Sequence, residues 1–177
     1  MVIGEILLEE LDIQKRVQKL GEEISSDYKV AGIDHITIVA ITNGAVIFTA
    51  DLMRQLDLQA DLECISVRSY FDKTSSESAP KIVDSSHLEI AGRHILLIDD
   101  IVDTGKTSDA IINLLEEKNV ASVKCCMLLD KHERRQVSVN VDYTGFTIPD
   151  AFVVGYGLDF AGKYRNLPHI AVLESQD

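Results

Sequence analysis

The chain has 177 residues, of which 46% are hydrophobic, and this size and composition predict one soluble globular domain. Its 17 basic and 29 acidic residues give a formal net charge of −12, which argues against binding to nucleic acid or to an anionic membrane surface. The acidic first segment does not resemble a signal peptide, and no apolar run is long enough to span a membrane. Three cysteines without a disulfide-like spacing favour a reducing compartment, so we expect a cytoplasmic protein.

In the first half of the chain, helical and strand patterns alternate. Apolar residues at helical spacing predict a helix over about 12–26, and a β-rich run predicts a strand over 35–41. Residues 48–56 carry apolar side chains four residues apart, as one face of a helix does, and residues 61–67 predict a second strand. Two strands joined by a helix are typical of a βαβ unit.

The second half repeats this alternation. Residues 94–98 predict a strand that is buried on both faces, because nearly all of them are apolar. A helix over 107–118 and a strand over 120–129 follow. Three short β-like runs complete the pattern, at 137–141, 151–154 and 170–173. The predicted fold class is therefore α/β, with a mostly parallel, twisted sheet flanked by helices, and ligands should bind beyond the carboxyl ends of its strands.

One segment interrupts this compact pattern. Residues 71–86 form a polar, Ser-rich stretch that is long for a connection inside a compact domain. Stretches of this length are typically either mobile lids over a site or disordered excursions, and the residues themselves leave both interpretations open.

The most informative segment is 95–107, where an apolar strand leads directly into acidic residues. Asp99 and Asp100 end the strand and can accept hydrogen bonds from the vicinal hydroxyls of a sugar. Asp103 follows, and Gly105 permits a tight turn with positive φ before the next helix. Backbone N–H groups at the turn and the helix start can hold a phosphate. One end of this segment therefore suits a sugar diol and the other end a phosphate.

Three other kinds of site are excluded. Residues 105–107 resemble the end of a P-loop, but that motif requires glycine where this chain has Asp100. Residues 155–157 resemble the start of a dinucleotide-binding fingerprint, but the third glycine position is Phe160. A phosphatase with a nucleophilic aspartate would need a second acid two residues after Asp99, and the residue there is not acidic.

The segment 95–107 resembles the signature with which type I phosphoribosyltransferases bind phosphoribosyl pyrophosphate (PRPP): an apolar strand, two acids, then Asp-Thr-Gly and Thr. Further segments resemble the hypoxanthine/guanine branch of that family, and they occur in the family's order. They are Asn43-Gly44, Ser69-Tyr70, 129–131, 148–159 and 165–167. The resemblance implies the type I phosphoribosyltransferase fold in a single domain over 1–177, with a small hood formed by the terminal segments and a flexible lid over about 69–86.

The resemblance also implies roles for residues on the PRPP side of the site. Asp103 matches the general base, which takes a proton from N7 of the purine, and Asp99 and Asp100 match the acids that hold the ribose hydroxyls. Ser69 and Tyr70 match the start of the lid. The residues that match positions in contact with PRPP are Asp99, Asp100, Asp103, Thr104, Gly105, Lys106, Thr107, Asn43, Gly44 and Arg165. Many members carry a lysine where this chain has Asn43, so the side-chain contacts of that lysine are lost here.

On the base side, the resemblance implies that Lys131 donates to the oxygen at C6 of the purine and that Phe152 stacks on the ring. Val153 matches a residue whose backbone reads the edge of the base. Asp159 matches an acid beside the base that coordinates Mg²⁺ on the pyrophosphate, and the two acids at the strand tip are expected to contact that ion indirectly. A hard cation is also expected on physical grounds, because the pyrophosphate leaving group carries charge.

The predicted function is purine salvage, in which hypoxanthine or guanine reacts with PRPP to give IMP or GMP and pyrophosphate. A phosphoribosyltransferase for xanthine or adenine is the nearest alternative, although Lys131 favours a 6-oxopurine because an ammonium group is a hydrogen-bond donor. A regulatory protein that senses PRPP or a nucleotide on the same fold is a second alternative, which the net charge of −12 and the intact Asp103 disfavour. The preference among 6-oxopurines stays open, and the family's usual homodimer or homotetramer is expected.

Overall fold

The computed structural model describes residues 1–68, 81–82, 85 and 87–174. Ser69 and Tyr70 lie outside the described residues, and so does most of the predicted lid over 69–86. The helices are α1 (Glu10–Val30), α2 (Val46–Met53) and α3 (Lys106–Glu117), and a short 3₁₀ turn spans His132–Arg134. The strands are β1 (Val2–Leu8), β2 (His35–Thr42), β3 (Gln59–Arg68), β4 (Lys81–Ile82), β5 (His94–Val102), β6 (Ser122–Asp130), β7 (Tyr143–Thr147), β8 (Val153–Val154) and β9 (Ile170–Glu174).

The larger sheet has the strand order β4-β3-β2-β5-β6-β7 and is parallel apart from the short outer strand β4. The chain leaves β2 toward one side to form β3, and it then crosses to the other side of β2 to form β5 and β6. This reversal places the topological switch point between β2 and β5, and open α/β sheets bind ligands in the crevice at the carboxyl ends of the strands there. The predicted α/β fold with a mostly parallel sheet is confirmed.

A second, smaller sheet joins the two ends of the chain. Its strand order is β1-β9-β8, and both of its pairings are antiparallel. This sheet is the hood that the sequence resemblance implies. The segment after β8 reaches the carboxyl edge of the larger sheet. Gly157 packs there so closely on the loop after β2 that an added Cβ would meet the carbonyl oxygen of Gly44.

Alternating side chains of the central strands form two separate cores, one on each face of the larger sheet. Ile38 and Leu96 belong to the core that α1, α2 and part of the hood cover. Their neighbours Val39 and Leu97 belong to the other core, which α3 covers through Ile111. Successive residues of a strand point to opposite faces, so a strand covered on both sides is apolar throughout. Of the helices described, none is both long and apolar enough to cross a membrane.

Two segments differ from the sequence prediction. The predicted strand over 137–141 is wrong: this segment is irregular, and the strand comes later as β7. The N–H groups of Gln136 and Val137 bind the carbonyl of Thr104 instead of a neighbouring strand. Strand β1 was not predicted. It forms by pairing with β9 at the far end of the chain, and its apolar side chains are mostly exposed or half-buried.

Candidate functional site

Four segments meet at the carboxyl edge of the larger sheet. Asn43-Gly44 follows β2, residues 103–105 follow β5, and the 3₁₀ turn follows β6 after Lys131. The hood contributes the segment 155–165, which packs on the loop after β2. The predicted site residues therefore come together from segments that are far apart in sequence.

The acidic pair at the end of β5 is buried or half-buried. Asp99 is 6% exposed, and its Oδ1 accepts a hydrogen bond from the backbone N–H of Asp100. Burial, followed by the neighbouring charge of Asp100, raises the pKa of Asp99 well above its usual range. Burial also raises the pKa of Asp100, although hydrogen bonds and the charge of Arg165 oppose that shift. In the described part of the chain no cationic nitrogen lies within 4.0 Å of either carboxylate, so both are available to a ligand that donates hydrogen bonds.

Glycine at position 44 lets the loop after β2 pack directly on the acidic pair. A Cβ at Gly44 would overlap Oδ2 of Asp100, and a Cβ at Gly157 would overlap the carbonyl oxygen of Gly44. The peptide bond between Thr42 and Asn43 is cis, and the side chain of Asn43 is exposed. The close approach at Gly44 therefore joins the acidic pair and the hood in one continuous surface.

The loop between β5 and α3 has the geometry of an anion-binding site. Gly105 precedes α3 with φ +85°, a left-handed conformation that favours glycine. Within the described residues, the backbone N–H groups of Gly105, Thr107 and Ser108 have no hydrogen-bond acceptor, as is usual in the first turn of a helix. Thr104 and Lys106 add a hydroxyl and a positive charge at the same helix start. Such groups at a helix N-terminus attract phosphate.

The segment after the 3₁₀ turn supports the back of this loop. The carbonyl of Thr104 accepts hydrogen bonds of 2.9 and 3.1 Å from the two backbone N–H groups that follow Arg135. Arg135 donates to Asp130 over 2.6 Å, and both side chains are largely buried. A Cβ at Gly105 would lie only 2.6 Å from the carbonyl oxygen of Val137. The conformation of the loop between β5 and α3 therefore depends on this packing.

Asp103 lies in a cluster of charged side chains from three segments. Nε of Arg134 is 2.9 Å from Oδ1 of Asp103, and Nη1 of the same arginine donates to Oδ1 of Asp150 over 3.2 Å. Lys131 is buried, and its Nζ lies 4.0 Å from the same oxygen of Asp150. The cluster therefore connects the predicted general base to the lysine predicted to bind the purine.

Phe152 stands at the edge of the hood with 53% of its surface exposed, and its ring meets that of Phe160 edge-on with the centroids 5.7 Å apart. Strand β8 is an outer strand of the hood sheet. Because the carbonyl of Phe152 accepts a hydrogen bond from Leu173, the alternation of antiparallel pairing turns the backbone groups of Val153 away from β9. An exposed ring beside outward-facing backbone groups suits a planar heterocycle.

Asp159 and Arg165 form an ion pair in the segment after β8. Nη2 of Arg165 lies 2.6 Å from Oδ1 of Asp159, and Nη1 donates to the carbonyl of Gly157 over 2.6 Å. The N–H of Gly162 donates to the other oxygen of Asp159 over 2.7 Å. The charge of Arg165 also acts on Asp100. Arg165 therefore pairs with Asp159, and its charge also favours the ionised form of Asp100.

The carboxylates at this edge fit a particular kind of magnesium site. Mg²⁺ prefers hard oxygen ligands and is usually held by one or two carboxylates together with substrate phosphates and water. Asp159 supplies a carboxylate with 29% of its side chain exposed. Among the residues that the structure describes, no group of three or more His, Cys, Asp or Glu side chains is arranged to hold a metal ion. These donors fit an ion that shares its coordination with a phosphorylated substrate.

The structure brings the predicted PRPP and base residues to one edge of the sheet, apart from Ser69 and Tyr70, which lie outside the described residues. Three further residues at this edge are ones that the sequence analysis does not single out: Arg134, Arg135 and Asp150. Two adjacent arginines in the short turn that follows β6 are a usable signal, because this strand ends at the edge where open α/β sheets bind ligands. Asp150 lies within the segment 148–159 already quoted for the family resemblance.

Comparison with known proteins gives concordant results. The family model for the phosphoribosyl transferase domain matches residues 5–161. Hypoxanthine-guanine phosphoribosyltransferase from Bacillus subtilis is 39% identical over 173 residues, which cover 97% of this chain and 94% of the relative. The protein of that name from Streptococcus pneumoniae is 40% identical over 174 residues, which cover 98% of this chain and 95% of the relative. The crystal structure of a hypoxanthine-guanine phosphoribosyltransferase from Bacillus anthracis superposes with a TM-score of 0.90 at 35% identity, covering 98% of this chain and 100% of that chain.

Proposed function

Because this chain belongs to the phosphoribosyl transferase family, we propose that it transfers the phosphoribosyl group of PRPP to hypoxanthine or guanine, giving IMP or GMP and pyrophosphate in purine salvage. The observation that carries the proposal is the end of β5, where the buried Asp99 and the half-buried Asp100 are followed by a helix start with open N–H groups. A sugar with hydroxyls at one end and a phosphate at the other matches that polarity.

The acidic pair is assigned to the ribose. Asp99 and Asp100 accept hydrogen bonds from its two hydroxyls, and this role is supported because no cationic nitrogen of the described residues lies within 4.0 Å of either carboxylate. Negative charge there also stabilises the cationic character that develops on the sugar as the bond to pyrophosphate breaks. The 5′-phosphate binds the N–H groups and hydroxyls of residues 104–107.

Asp103 is assigned as the general base. N9 of the purine attacks the anomeric carbon, the bond from that carbon to the pyrophosphate oxygen breaks with its electron pair, and the proton on N7 passes to Asp103. The side chain of Asp103 is 38% exposed at the crevice edge, and Arg134 connects it to the cluster that contains Lys131, which supports this assignment.

Lys131 is assigned to the oxygen at C6 of the purine. An ammonium group donates hydrogen bonds, so it favours 6-oxopurines over adenine, which carries an amino group at that position. Lys131 is buried with its Nζ 4.0 Å from Asp150, which leaves its hydrogens well placed to be donated to a ligand. The exposed ring of Phe152 stacks on the base, and the outward-facing backbone of Val153 reads its edge.

When bound, Mg²⁺ would neutralise charge on the pyrophosphate leaving group. Asp159 would hold the ion directly, and the strand-tip acids Asp99 and Asp100 would contact it indirectly. Arg165 binds the pyrophosphate. Its ion pair with Asp159 supports both assignments, because it sets a cation and a carboxylate side by side next to the acidic pair.

The same proposal extends to the organisation of the protein. We infer that residues 1–177 act as one domain and that the segment over about 69–86, led by Ser69 and Tyr70, closes as a lid. Closure would keep water from a cationic sugar. We also propose a cytoplasmic homodimer or homotetramer, and the three cysteines support this compartment because none of them forms a disulfide.

The activity is tested by incubating the protein with PRPP, Mg²⁺ and one base at a time. The bases are hypoxanthine, guanine, xanthine and adenine, and the nucleotide formed is measured by chromatography. We expect IMP or GMP together with an equal amount of pyrophosphate, and roughly 100-fold less nucleotide from adenine. If nucleotide forms from xanthine alone, xanthine is the substrate in place of hypoxanthine and guanine. If no base gives a product, the proposal is overturned.

The role of Asp103 is tested separately with Asp103→Asn, which is nearly the same size as the natural side chain but cannot accept the proton in the same way. We expect turnover to fall by roughly 10²–10⁴-fold while affinity for IMP stays within a few fold. Unchanged turnover would reject Asp103 as the general base, but the proposed phosphoribosyl transfer activity would still stand.

A further inference from the structure

Arg134 joins two carboxylates that belong to different segments of the site. It ends the 3₁₀ turn after β6, where 45% of its side chain is exposed. Its Nε lies 2.9 Å from Oδ1 of Asp103, and its Nη1 donates to Oδ1 of Asp150 over 3.2 Å. The hydrogen bond to Asp150 and the charges of the two acids raise the pKa of Arg134, so the guanidinium remains fully charged.

The two oxygens of Asp103 have different surroundings. Oδ1 is buried and accepts no well-directed hydrogen bond among the described residues, because the N–H of Arg134 comes close to it without pointing at it. The contact is therefore an ion pair rather than a directed hydrogen bond. The side chain as a whole is 38% exposed, so its exposed surface lies on the other atoms, of which Oδ2 is the only polar one. The arginine thus lies against Oδ1, and Oδ2 is the carboxylate oxygen that remains for a ligand.

A general base works only if one lone pair points at the proton it will take. The side chain of Asp103, at the start of the loop after β5, can rotate, and rotation would carry either oxygen away from N7 of the purine. We propose that Arg134 is a positioning residue for this reaction: it fixes Oδ1 of Asp103 so that Oδ2 faces the proton of the incoming base. This inference rests on the proposed function, in which Asp103 is the general base.

The chemistry of arginine suits this position better than that of lysine. A guanidinium group presents several N–H groups in a planar fork and can reach two carboxylates at once, whereas an ammonium group is a compact point charge. Here the fork spans Asp103 and Asp150, and a lysine at position 134 could hold only one of them. The second carboxylate fixes the guanidinium, and the fixed guanidinium orients the base.

The same carboxylate links the base to the residue that recognises the purine. Oδ1 of Asp150 lies 4.0 Å from Nζ of Lys131 as well as 3.2 Å from Nη1 of Arg134. The positions of Asp103 and Lys131 are therefore set by a shared set of contacts. A purine whose C6 oxygen binds Lys131 presents its N7 on the neighbouring side, toward Asp103.

The inference is tested with Arg134→Ala and Arg134→Lys, with Glu133→Ala as the matched control. Glu133 lies on the same 3₁₀ turn and is exposed, and its side chain makes no hydrogen bond or ion pair with another described residue. We expect kcat to fall by roughly 10²-fold in Arg134→Ala, which is the scale of loss when a reacting group is misplaced by about 1 Å. KM for PRPP should stay within about twofold, and millimolar guanidinium should restore part of kcat in Arg134→Ala. Arg134→Lys should recover little, and the control should match the wild type.

A double-variant cycle with Asp103→Asn shows whether Arg134 acts through Asp103. We expect Arg134→Ala to lower kcat less than about twofold further in the Asp103→Asn background, because the group it positions is already lost. An equal loss in both backgrounds would overturn the inference. A rise in kcat/KM for hypoxanthine in Arg134→Ala would also overturn it, because the arginine would then be competing with the purine for Asp103.

The cycle also separates this inference from the proposed function. If Asp103→Asn lowers turnover and Arg134→Ala does not, the inference fails and the assignment of the base stands. If Asp103→Asn leaves turnover unchanged, the assignment of the base fails, and the inference falls with it. Unfolding midpoints of all variants, measured in urea, should agree with the wild type; a kcat loss matched by a large drop in midpoint would assign Arg134 a merely structural role and overturn the inference.

Discussion

Replacing Gly105 by alanine would test how much the packing of the loop between β5 and α3 contributes to stability. At φ +85° a side chain with Cβ is strained by roughly 1–2 kcal/mol. The new Cβ would also lie 2.6 Å from the carbonyl oxygen of Val137, and overpacking of this kind costs roughly 1–3 kcal/mol. The lower entropy of the unfolded alanine chain returns about 0.4–1 kcal/mol. We therefore expect the free energy of unfolding to fall by about 3 kcal/mol.

Gly92→Ala provides a control that separates strain from steric overlap. Gly92 has φ +72°, and a Cβ there would meet nothing within 4 Å. It lies just before β5, at the end of the sheet opposite the site. This variant carries the backbone strain and the entropy change without the overlap, so we expect a loss of about 1 kcal/mol. The difference between the two variants, about 2 kcal/mol, then measures the packing of the loop on Val137.

Urea unfolding gives both values. The chain contains no tryptophan, so far-ultraviolet circular dichroism is the suitable signal. The KM for PRPP should rise severalfold in Gly105→Ala and stay unchanged in Gly92→Ala, because only the first variant moves the N–H groups assigned to the 5′-phosphate. Equal unfolding free energies for the two variants would refute the reasoning, since the backbone oxygen of Val137 would then be free to move away without cost.

Three further predictions concern the acidic side chains. In Gly44→Ala the added Cβ overlaps Oδ2 of Asp100, so kcat/KM for PRPP should fall about 100-fold in steady-state assays while circular dichroism stays native. In Asp99→Asn the variant should be more stable than the wild type at pH 8 but not at pH 4, as measured by urea unfolding. Because the pKa of Asp99 is raised by folding, its contribution to the stability of the wild type is fully present below the pKa of the unfolded chain and is lost as pH rises through the folded pKa. Asparagine does not ionise, so the variant escapes this loss. In Asp130→Ala the partly buried Arg135 loses its partner, so the free energy of unfolding should fall by about 3 kcal/mol, and an unchanged urea midpoint would contradict the buried pair.

The four central strands of the larger sheet, β3, β2, β5 and β6, can be predicted from the sequence because each has a clear local pattern. Residues 94–98 are apolar on both faces, and the helix after them has a periodic apolar side, so both elements are visible without knowledge of distant contacts. Strand β1 is different. Its apolar residues are mostly exposed or half-buried, and it becomes a strand only by pairing with β9 at the far end of the chain. Local pattern carries no information on such a pairing.

The candidate site divides in the same way. Asp99, Asp100 and Gly105 lie within one short segment, so their spacing alone indicates a diol and a phosphate. The contacts of Arg134 with Asp103 and Asp150 depend on how the 3₁₀ turn after β6 folds back over the loop after β5. The error at 137–141 has the same origin. A β-rich composition does not reveal that the N–H of Val137 is directed to Thr104 rather than to a strand.

The charge distribution along the crevice sets the direction in which a substrate can lie. Among the described residues no cationic nitrogen lies within 4.0 Å of the carboxylates of Asp99 and Asp100, so the ionised pair would repel a phosphate placed beside it. Open N–H groups lie on the α3 side of the pair, and Arg165 lies on its hood side. Under the proposed function, PRPP would therefore put its hydroxyls on the acids with its 5′-phosphate at the start of α3 and its pyrophosphate toward Arg165. The purine would then lie on the side where Asp103 and Lys131 are connected by one charged cluster.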